Sequence, residues 1–342
     1  MSSSKIFSII FSLIICLQLN AQKISINILD SGRKISLRGL SVVNDNIIWA
    51  SGNNGTVARS INGGKTFAWL TVKGFEQRDF RDVEAFDSNT ALIMAVAEPA
   101  IILKTKDGGK DWYKVFEDTT KGMFLDAMDF ANDSLGIVIG DPINNKIFIA
   151  TTPNAGEKWF TAKGDDTILN PVSFKGEAFF AASGTNIAIH KNGNYFEGAF
   201  VSGGTVSRIF YNEKTELLPI IQGKETTGTN SVAIDFAAKK GVVVGGDFAN
   251  DKDTLLNCIL INLKDSIQFI RPQTSPHGYR SCVAYISKNT LICCGTNGVD
   301  ISTDGGINWQ LISTKSFNVC VKAKNGSAVF LAGVNGKIAK ME

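Results

Sequence analysis

Thr105-Lys106-Asp107-Gly108-Gly109-Lys110-Asp111-Trp112 reads hydroxyl, any residue, Asp or Asn, small, Gly, any residue, polar, aromatic. The same order recurs at Ser60-Ile61-Asn62-Gly63-Gly64-Lys65-Thr66-Phe67, at Thr152-Pro153-Asn154-Ala155-Gly156-Glu157-Lys158-Trp159 and at Ser302-Thr303-Asp304-Gly305-Gly306-Ile307-Asn308-Trp309. The starts lie 45, 47 and 150 residues apart, the last close to three further units. A strand-rich unit of about 40–50 residues is the length of one four-stranded propeller blade. Set aside an N-terminal leader, and the chain divides into seven units of about 46 residues. The expected fold is therefore all-β, a seven-bladed β-propeller.

The motif needs no ligand to make sense. The acid or amide of Asn62, Asp107, Asn154 and Asp304 accepts backbone N–H groups a few residues on. Glycine tolerates positive φ at the tight position. The closing Phe67, Trp112, Trp159 and Trp309 bury a large apolar area between sheets. These eight residues are read as structural staples on outer hairpins.

The rest of each unit also repeats. Apolar first strands begin at Ser36-Leu37-Arg38-Gly39-Leu40, Phe80-Arg81-Asp82-Val83, Leu125-Asp126-Ala127-Met128, Ser231-Val232-Ala233-Ile234, Tyr279-Arg280-Ser281-Cys282 and Phe317-Asn318-Val319-Cys320. Second strands end in small residues, as in Trp49-Ala50-Ser51-Gly52 and Val243-Val244-Gly245-Gly246, which suits crowded inner strands. Residues 171–222 and 229–271 keep the rhythm without the turn motif. The last unit has only three strands. The stretch Lys23-Ile24-Ser25-Ile26-Asn27-Ile28-Leu29-Asp30 would supply the fourth and close the ring, removing two exposed edges.

Residues 1–21 read as a signal peptide. Lys5 gives the positive start, Ile6 to Leu19 the apolar run, and Leu19-Asn20-Ala21 a small-residue cleavage site. The mature protein, residues 22–342, is expected as a single propeller domain, periplasmic or extracellular, with no stable membrane insertion. The formal net charge of +3 is small and evenly spread, which argues against nucleic acid as a partner. Five of the six cysteines lie beyond the leader: Cys258, Cys282, Cys293, Cys294 and Cys320. All sit in apolar strands, so buried thiols are one reading. A bridge from Cys282 to Cys293 or to Cys320 is the other. With two histidines and no Cys-x-x-Cys, no metal site is expected. Gly245-Gly246-Asp247 is not a phosphate loop, because no helix follows it. No nucleophile elbow, Walker motif or dinucleotide fingerprint is present, and no cofactor is expected. Asn132-Asp133-Ser134 matches the glycosylation sequon by chance.

Propeller geometry gathers first-strand starts and second-strand ends at one channel mouth. Arg38, Arg81 and Arg280 occupy such starts. Glu98, Asp141 and Asp247 occupy such ends, Arg208 starts a third strand, and Tyr279 precedes Arg280. Guanidinium forks suit carboxylates. One reading is an acidic ligand or carboxylate-bearing peptide held by these arginines. The other is that the arginines pair with Glu98, Asp141 and Asp247 and tie blades together.

The turn motifs, the blade order and the segments around Arg38, Arg81 and Arg280 resemble the photosystem II stability/assembly factor-like propellers of the Asp-box (BNR) repeat group. Similar exported proteins are common in Bacteroidetes. The resemblance covers residues 23–342. It implies an assembly scaffold whose Arg-rich face binds a partner, with Arg38, Arg81 and Arg280 carrying that face. The expectation is thus a non-enzymatic, monomeric interaction module for a protein or peptide partner, with a glycan as the alternative ligand. The competing reading is a sialidase-like or xyloglucanase-like glycoside hydrolase using Glu98 and Asp141 as its two carboxylates. Phe80-Arg81-Asp82-Val83 lacks the Ile-Pro that follows Arg in the sialidase motif, and no other part matches. A quinone-type dehydrogenase is disfavoured by length and by missing Trp-docking repeats.

Overall fold

The computed structural model describes residues 24–161, 171–193 and 195–342. The predicted leader, residues 1–21, lies outside them. Seven antiparallel sheets form a β-propeller. Blade 1 is Leu37–Val42, Ile48–Gly52, Thr56–Ser60 and Ala68–Thr71; blade 2 runs from Phe80–Ala85 to Tyr113–Asp118; blade 3 from Leu125–Phe130 to Phe160–Thr161. Blade 4 comprises Ile187–Asn192, Tyr195–Val201, Arg208–Tyr211 and Lys214–Leu217. Blade 5 runs from Thr227–Asp235 to Gln268–Ile270 and blade 6 from Cys282–Tyr285 to Gln310–Ser313. Blade 7 takes Val319–Lys322, Val329–Ala332 and Ile338–Met341 from the C-terminus, and Ile26–Asp30 from the N-terminus. Ile26 pairs with Met341 and Asn27 with Lys340, so the N-terminal strand closes the ring as its sequence position requires.

The four turn motifs form the same clamp on the outer hairpins of blades 1, 2, 3 and 6. In blade 2, the Thr105 hydroxyl donates to Asp107 Oδ1 (2.8 Å) and accepts the Gly109 amide (3.0 Å), while Asp107 accepts the amides of Lys110 and Asp111. Asn62, Asn154 and Asp304 accept the amides of Thr66, Lys158 and Asn308 in the same way, at 2.9–3.0 Å. Each closing aromatic packs against the preceding blade. Trp112 meets Trp49 edge-on at 6.4 Å, Trp159 packs with Leu92 and Met94, Trp309 with Val242 and Val244, and Phe67 with Phe330. These contacts make the motif an inter-blade staple as well as a turn. The hairpin's left-handed position is Gly63, Gly108 and Gly305 in three blades, but Ala155 takes it in blade 3 at φ 59°. There the buried Lys104 of blade 2 donates to the Ala155 carbonyl at 2.8 Å and holds the turn.

Around the channel, each innermost strand is tied to the next. Ser41 Oγ accepts the Ala85 amide, Asp82 Oδ2 the Met128 amide (2.7 Å), and Asp129 Oδ2 the Ile189 amide (2.7 Å). The Val232 amide reaches the Thr185 carbonyl, Ser231 Oγ accepts the Val283 amide, and Cys282 Sγ accepts the Cys320 amide. The Lys324 amide then donates to the Val42 carbonyl and completes the circle.

Blade 4 departs from the pattern. Before its first strand, residues 179–186 cross the channel. Ser183 Oγ donates to the Ser281 carbonyl of blade 6 at 2.7 Å, and Thr185 shares a hydrogen bond with Ser231 of blade 5. Gly184, at φ 68°, lies so close to Asp82 that a Cβ would stand 2.4 Å from the carboxyl carbon. Only glycine passes there, and the crossing divides the channel into an upper and a lower part.

All five cysteines of the described residues are free and buried. Cys282 stands in register with Cys294 and packs with it and Cys320, whereas Cys293 points to the opposite face beside Cys258. A Cys282–Cys293 bridge is therefore excluded by the strand's alternation.

Candidate functional site at the upper channel mouth

The upper face carries the second-to-third strand turns and the blade-to-blade connections. The stapled hairpins lie on the lower face, where Gly63, Gly108 and Gly305 donate to first-hairpin carbonyls of Asn46, Asn89 and Asn289. At the upper mouth a cavity of about 520 Å³ opens, with Arg38, Arg81 and Asp141 on one side and Phe124, Phe180, Phe248 and Tyr279 around it.

A repeated backbone feature positions its polar groups. The first strands of blades 1, 2, 3 and 5 shift register at their second or fourth residue, between Leu37 and Gly39, Phe80 and Asp82, Leu125 and Ala127, and Thr229 and Ser231. A bulge re-aims the extra residue's side chain. The bulged residues are Arg38, Arg81, Asp126 and Asn230, and they converge on the mouth.

Arg38 is half-buried. Its one protein hydrogen bond is a long one, Nη1 to the Ala182 carbonyl at 3.4 Å, and it has no carboxylate within ion-pair distance among the described residues. Burial and the neighbouring Arg81 guanidinium push its pKa down. Arg81 uses Nε on Asp79 at 2.7 Å and leans over the Phe124 ring at 5.7 Å, and its terminal nitrogens have no hydrogen-bond partner among the described residues. Behind them Asp126 is fully buried, its carboxyl beside the backbone of Ala181 and Asp141 but without a well-formed hydrogen bond among the described residues. Desolvation and the Asp141 carboxylate raise its pKa well above the usual range. Asp141 accepts the Phe179 amide at 2.8 Å, and burial raises its pKa to about 6. On the opposite wall, Phe180 and Phe248 meet edge-on at 5.9 Å, and Phe248 meets Tyr279 at 6.4 Å. The Tyr279 hydroxyl donates to Asn230 Oδ1 at 2.8 Å.

The other predicted arginines do not face the cavity. Arg280 is fully buried, with Nε 2.7 Å from Asp300 Oδ2 and further bonds to Asn297 and to the carbonyls of Tyr279 and His277. His277 Nδ1 contacts the same Asp300 at 2.5 Å. Arg208 makes a bidentate pair with buried Glu177, at 2.8 and 2.6 Å, between the rings of Phe174 and Phe210. Both arginines are consumed by internal ion pairs with partners other than those named from sequence; the Arg280 pair lies within blade 6 rather than between blades, and Arg208 pairs with the short strand Glu177–Ala178 that precedes blade 4. Asp247 is buried, accepts the Ala249 amide at 2.9 Å and stands outside the cavity lining. Glu98 is exposed, accepts the Gly122 amide at 2.8 Å and also stands outside it, so the structure does not bring Glu98 and Asp141 together in the mouth. Sequence reasoning missed Asp300, Glu177 and the aromatic wall. A lone Asp within the apolar strand Gly298–Ser302 was the available signal for the first.

A family profile described as photosynthesis system II assembly factor YCF48 matches residues 34–215, just over half of the chain. The chain belongs to the YCF48 family. The matched span includes Arg38, Arg81, Asp126 and Asp141, and with them the cationic side of the mouth. Among solved structures, YCF48 from Cyanidioschyzon merolae is similar at a TM-score of 0.63 and 16% identity, covering 93% of this chain and 99% of that one. YCF48 bound to D1 peptide is similar at 0.62 and 17% identity, covering 94% and 96%. The Pan2 WD40 domain of Neurospora crassa follows at 0.59 and 13% identity, covering 89% and 88%. At these identities the structural likeness speaks for the propeller alone. No curated protein matches the chain.

Proposed function

We propose that this YCF48-family propeller is a non-enzymatic interaction scaffold that holds a carboxylate-bearing segment of a protein partner at its upper mouth. The observation that carries the reading is Arg38. It is a half-buried guanidinium with no carboxylate within ion-pair distance among the described residues, beside Arg81, whose Nε alone is paired, in a cavity with an aromatic wall. A buried cation without an internal counter-ion favours an external anion. A YCF48 structure with a bound D1 peptide supports a peptide as the ligand class. In this reading the aromatic wall receives an apolar side chain. The leader-like residues 1–21 support export, with the mature chain acting as a soluble monomer outside the cytoplasm.

The test is binding of fluorescent peptides with a free carboxyl terminus and of their C-terminal amides. The free acids should bind more tightly by about tenfold, on the scale of one charge-assisted hydrogen bond. Arg38→Ala with Arg81→Ala should abolish that preference while the melting temperature holds. Equal binding of acid and amide by the wild-type protein would sink the reading.

A further inference from the structure

A second cavity lies on the other face. It measures about 810 Å³ and sits between blades 4, 5 and 6 at the lower channel mouth, well apart from Arg38 and Arg81. That volume falls in the range of small-molecule sites. One wall is a stacked pair, His190 on Phe236, with centroids 5.2 Å apart and planes within 20°. Tyr285 stands at its inner side, where the pocket meets the lower channel. Its hydroxyl is buried and has no hydrogen-bond partner among the described residues. An orphaned buried hydroxyl is a costly feature unless something fills it.

The charges around this pocket are unequal. Lys322, half-buried at the end of the innermost strand of blade 7, and Lys288, on the first hairpin of blade 6, both line it, and neither has a carboxylate within ion-pair distance among the described residues. Asp235 is the single carboxylate of the lining, and its Oδ1 already accepts the Ala238 amide at 3.0 Å. On the channel side, Glu84 is paired with Lys324, and Asp129 accepts the amides of Ile189 and Phe130. Apart from the remaining oxygen of Asp235, the groups facing the cavity are donors: two ammonium groups and a phenol, which outnumber the one carboxylate. They stand beside a flat ring surface.

We propose that the lower pocket is a second ligand site, for a small planar organic anion of the aryl carboxylate class. The carboxylate would meet Lys322 and the Tyr285 hydroxyl, and the planar body would lie against His190 and Phe236. The proposal is independent of the upper mouth.

Calorimetric titration with 2-naphthoate tests it, using the intact protein, Lys322→Gln and Tyr285→Phe. The wild-type protein should bind saturably at a site that C-terminal peptide acids do not displace. Lys322→Gln and the uncharged 2-naphthamide should each weaken binding by about tenfold, and Tyr285→Phe by about fivefold. Tyr285→Phe keeps the ring, so its fold should survive where a larger change would not. Absence of saturable binding would overturn the proposal. So would equal binding of acid and amide, or binding indifferent to both substitutions. Displacement by the peptides would assign the naphthoate to the upper mouth and equally overturn it.

Discussion

Arg38 and Arg280 both stand at the start of an innermost strand, yet one faces the cavity and the other is entombed. They differ by one place in register: the Arg280 amide donates to the Gly245 carbonyl of the preceding blade as the Leu37 amide does to Gly333, so Arg280 takes the inward place of Leu37, and a buried carboxylate receives it there. In blade 6 Cys293 stands opposite Asp300 on the third strand, where blade 1 has Ala50 opposite Ala58. The buried carboxylate draws Arg280 inward and fixes His277 with it. Removing one partner of a buried pair leaves an uncompensated charge. Arg280→Ala should therefore destabilise the fold by about 3–5 kcal/mol. Arg38→Ala should change stability by no more than about 1 kcal/mol, since no internal ion pair is lost. Urea denaturation of the two variants checks the contrast. Equal destabilisation would mean that Arg38 is also a structural residue.

At the scale of elements, the N-terminal strand and the channel crossing decide the architecture. Ile26–Asp30 completes blade 7, Asp30 Oδ2 accepts the indole N–H of Trp69 in blade 1 at 2.9 Å, and Leu29 packs against the Gly64 turn. Without it, the strand Ile338–Met341 becomes an open edge. Deleting residues 24–30 should lower the melting temperature by roughly 10 °C, the equivalent of a few kcal/mol. A synthetic peptide of that sequence should restore part of the loss. No recovery with the peptide would argue that the strand acts only during folding. The staples were legible as a spacing rule because Asn62, Asp107, Asn154 and Asp304 act within one hairpin. The crossing at residues 179–186 was not, because Gly184 and Thr185 are fixed by Asp82 and Ser231 from other blades.

For the whole molecule, the channel is a reservoir of carboxyl groups held out of water. Burial is the largest influence on each, raising Asp129 to about 7 and Asp141 to about 6, and Asp82 and Asp126 well above the usual range. These folded-state values lie above those of the unfolded chain, so the native state binds more protons between them. The stabilisation is fully present below the unfolded carboxylate pKa and is lost as pH rises through about 6 and 7 for Asp141 and Asp129. The melting temperature should therefore fall from pH 5 to pH 8. Asp141→Asn, which keeps an acceptor for the Phe179 amide, should remove the part of the decline centred near 6. A melting temperature that rises across this interval would contradict the assignment.

The sequence by itself determined the propeller, the number of blades, the hairpin staples and the closing strand. Those features arise from local turn chemistry and from strand patterns that repeat along the chain. It also named Arg38, Arg81, Asp141 and Tyr279, which meet at one mouth. Only the tertiary structure decided which arginines are free. Pairing depends on residues distant in the chain, such as Glu177 for Arg208 and Asp300 for Arg280, and on how deeply each pair is withdrawn from water. The aromatic wall has the same origin, since Phe180, Phe248 and Tyr279 come from separate segments and meet only when the ring closes.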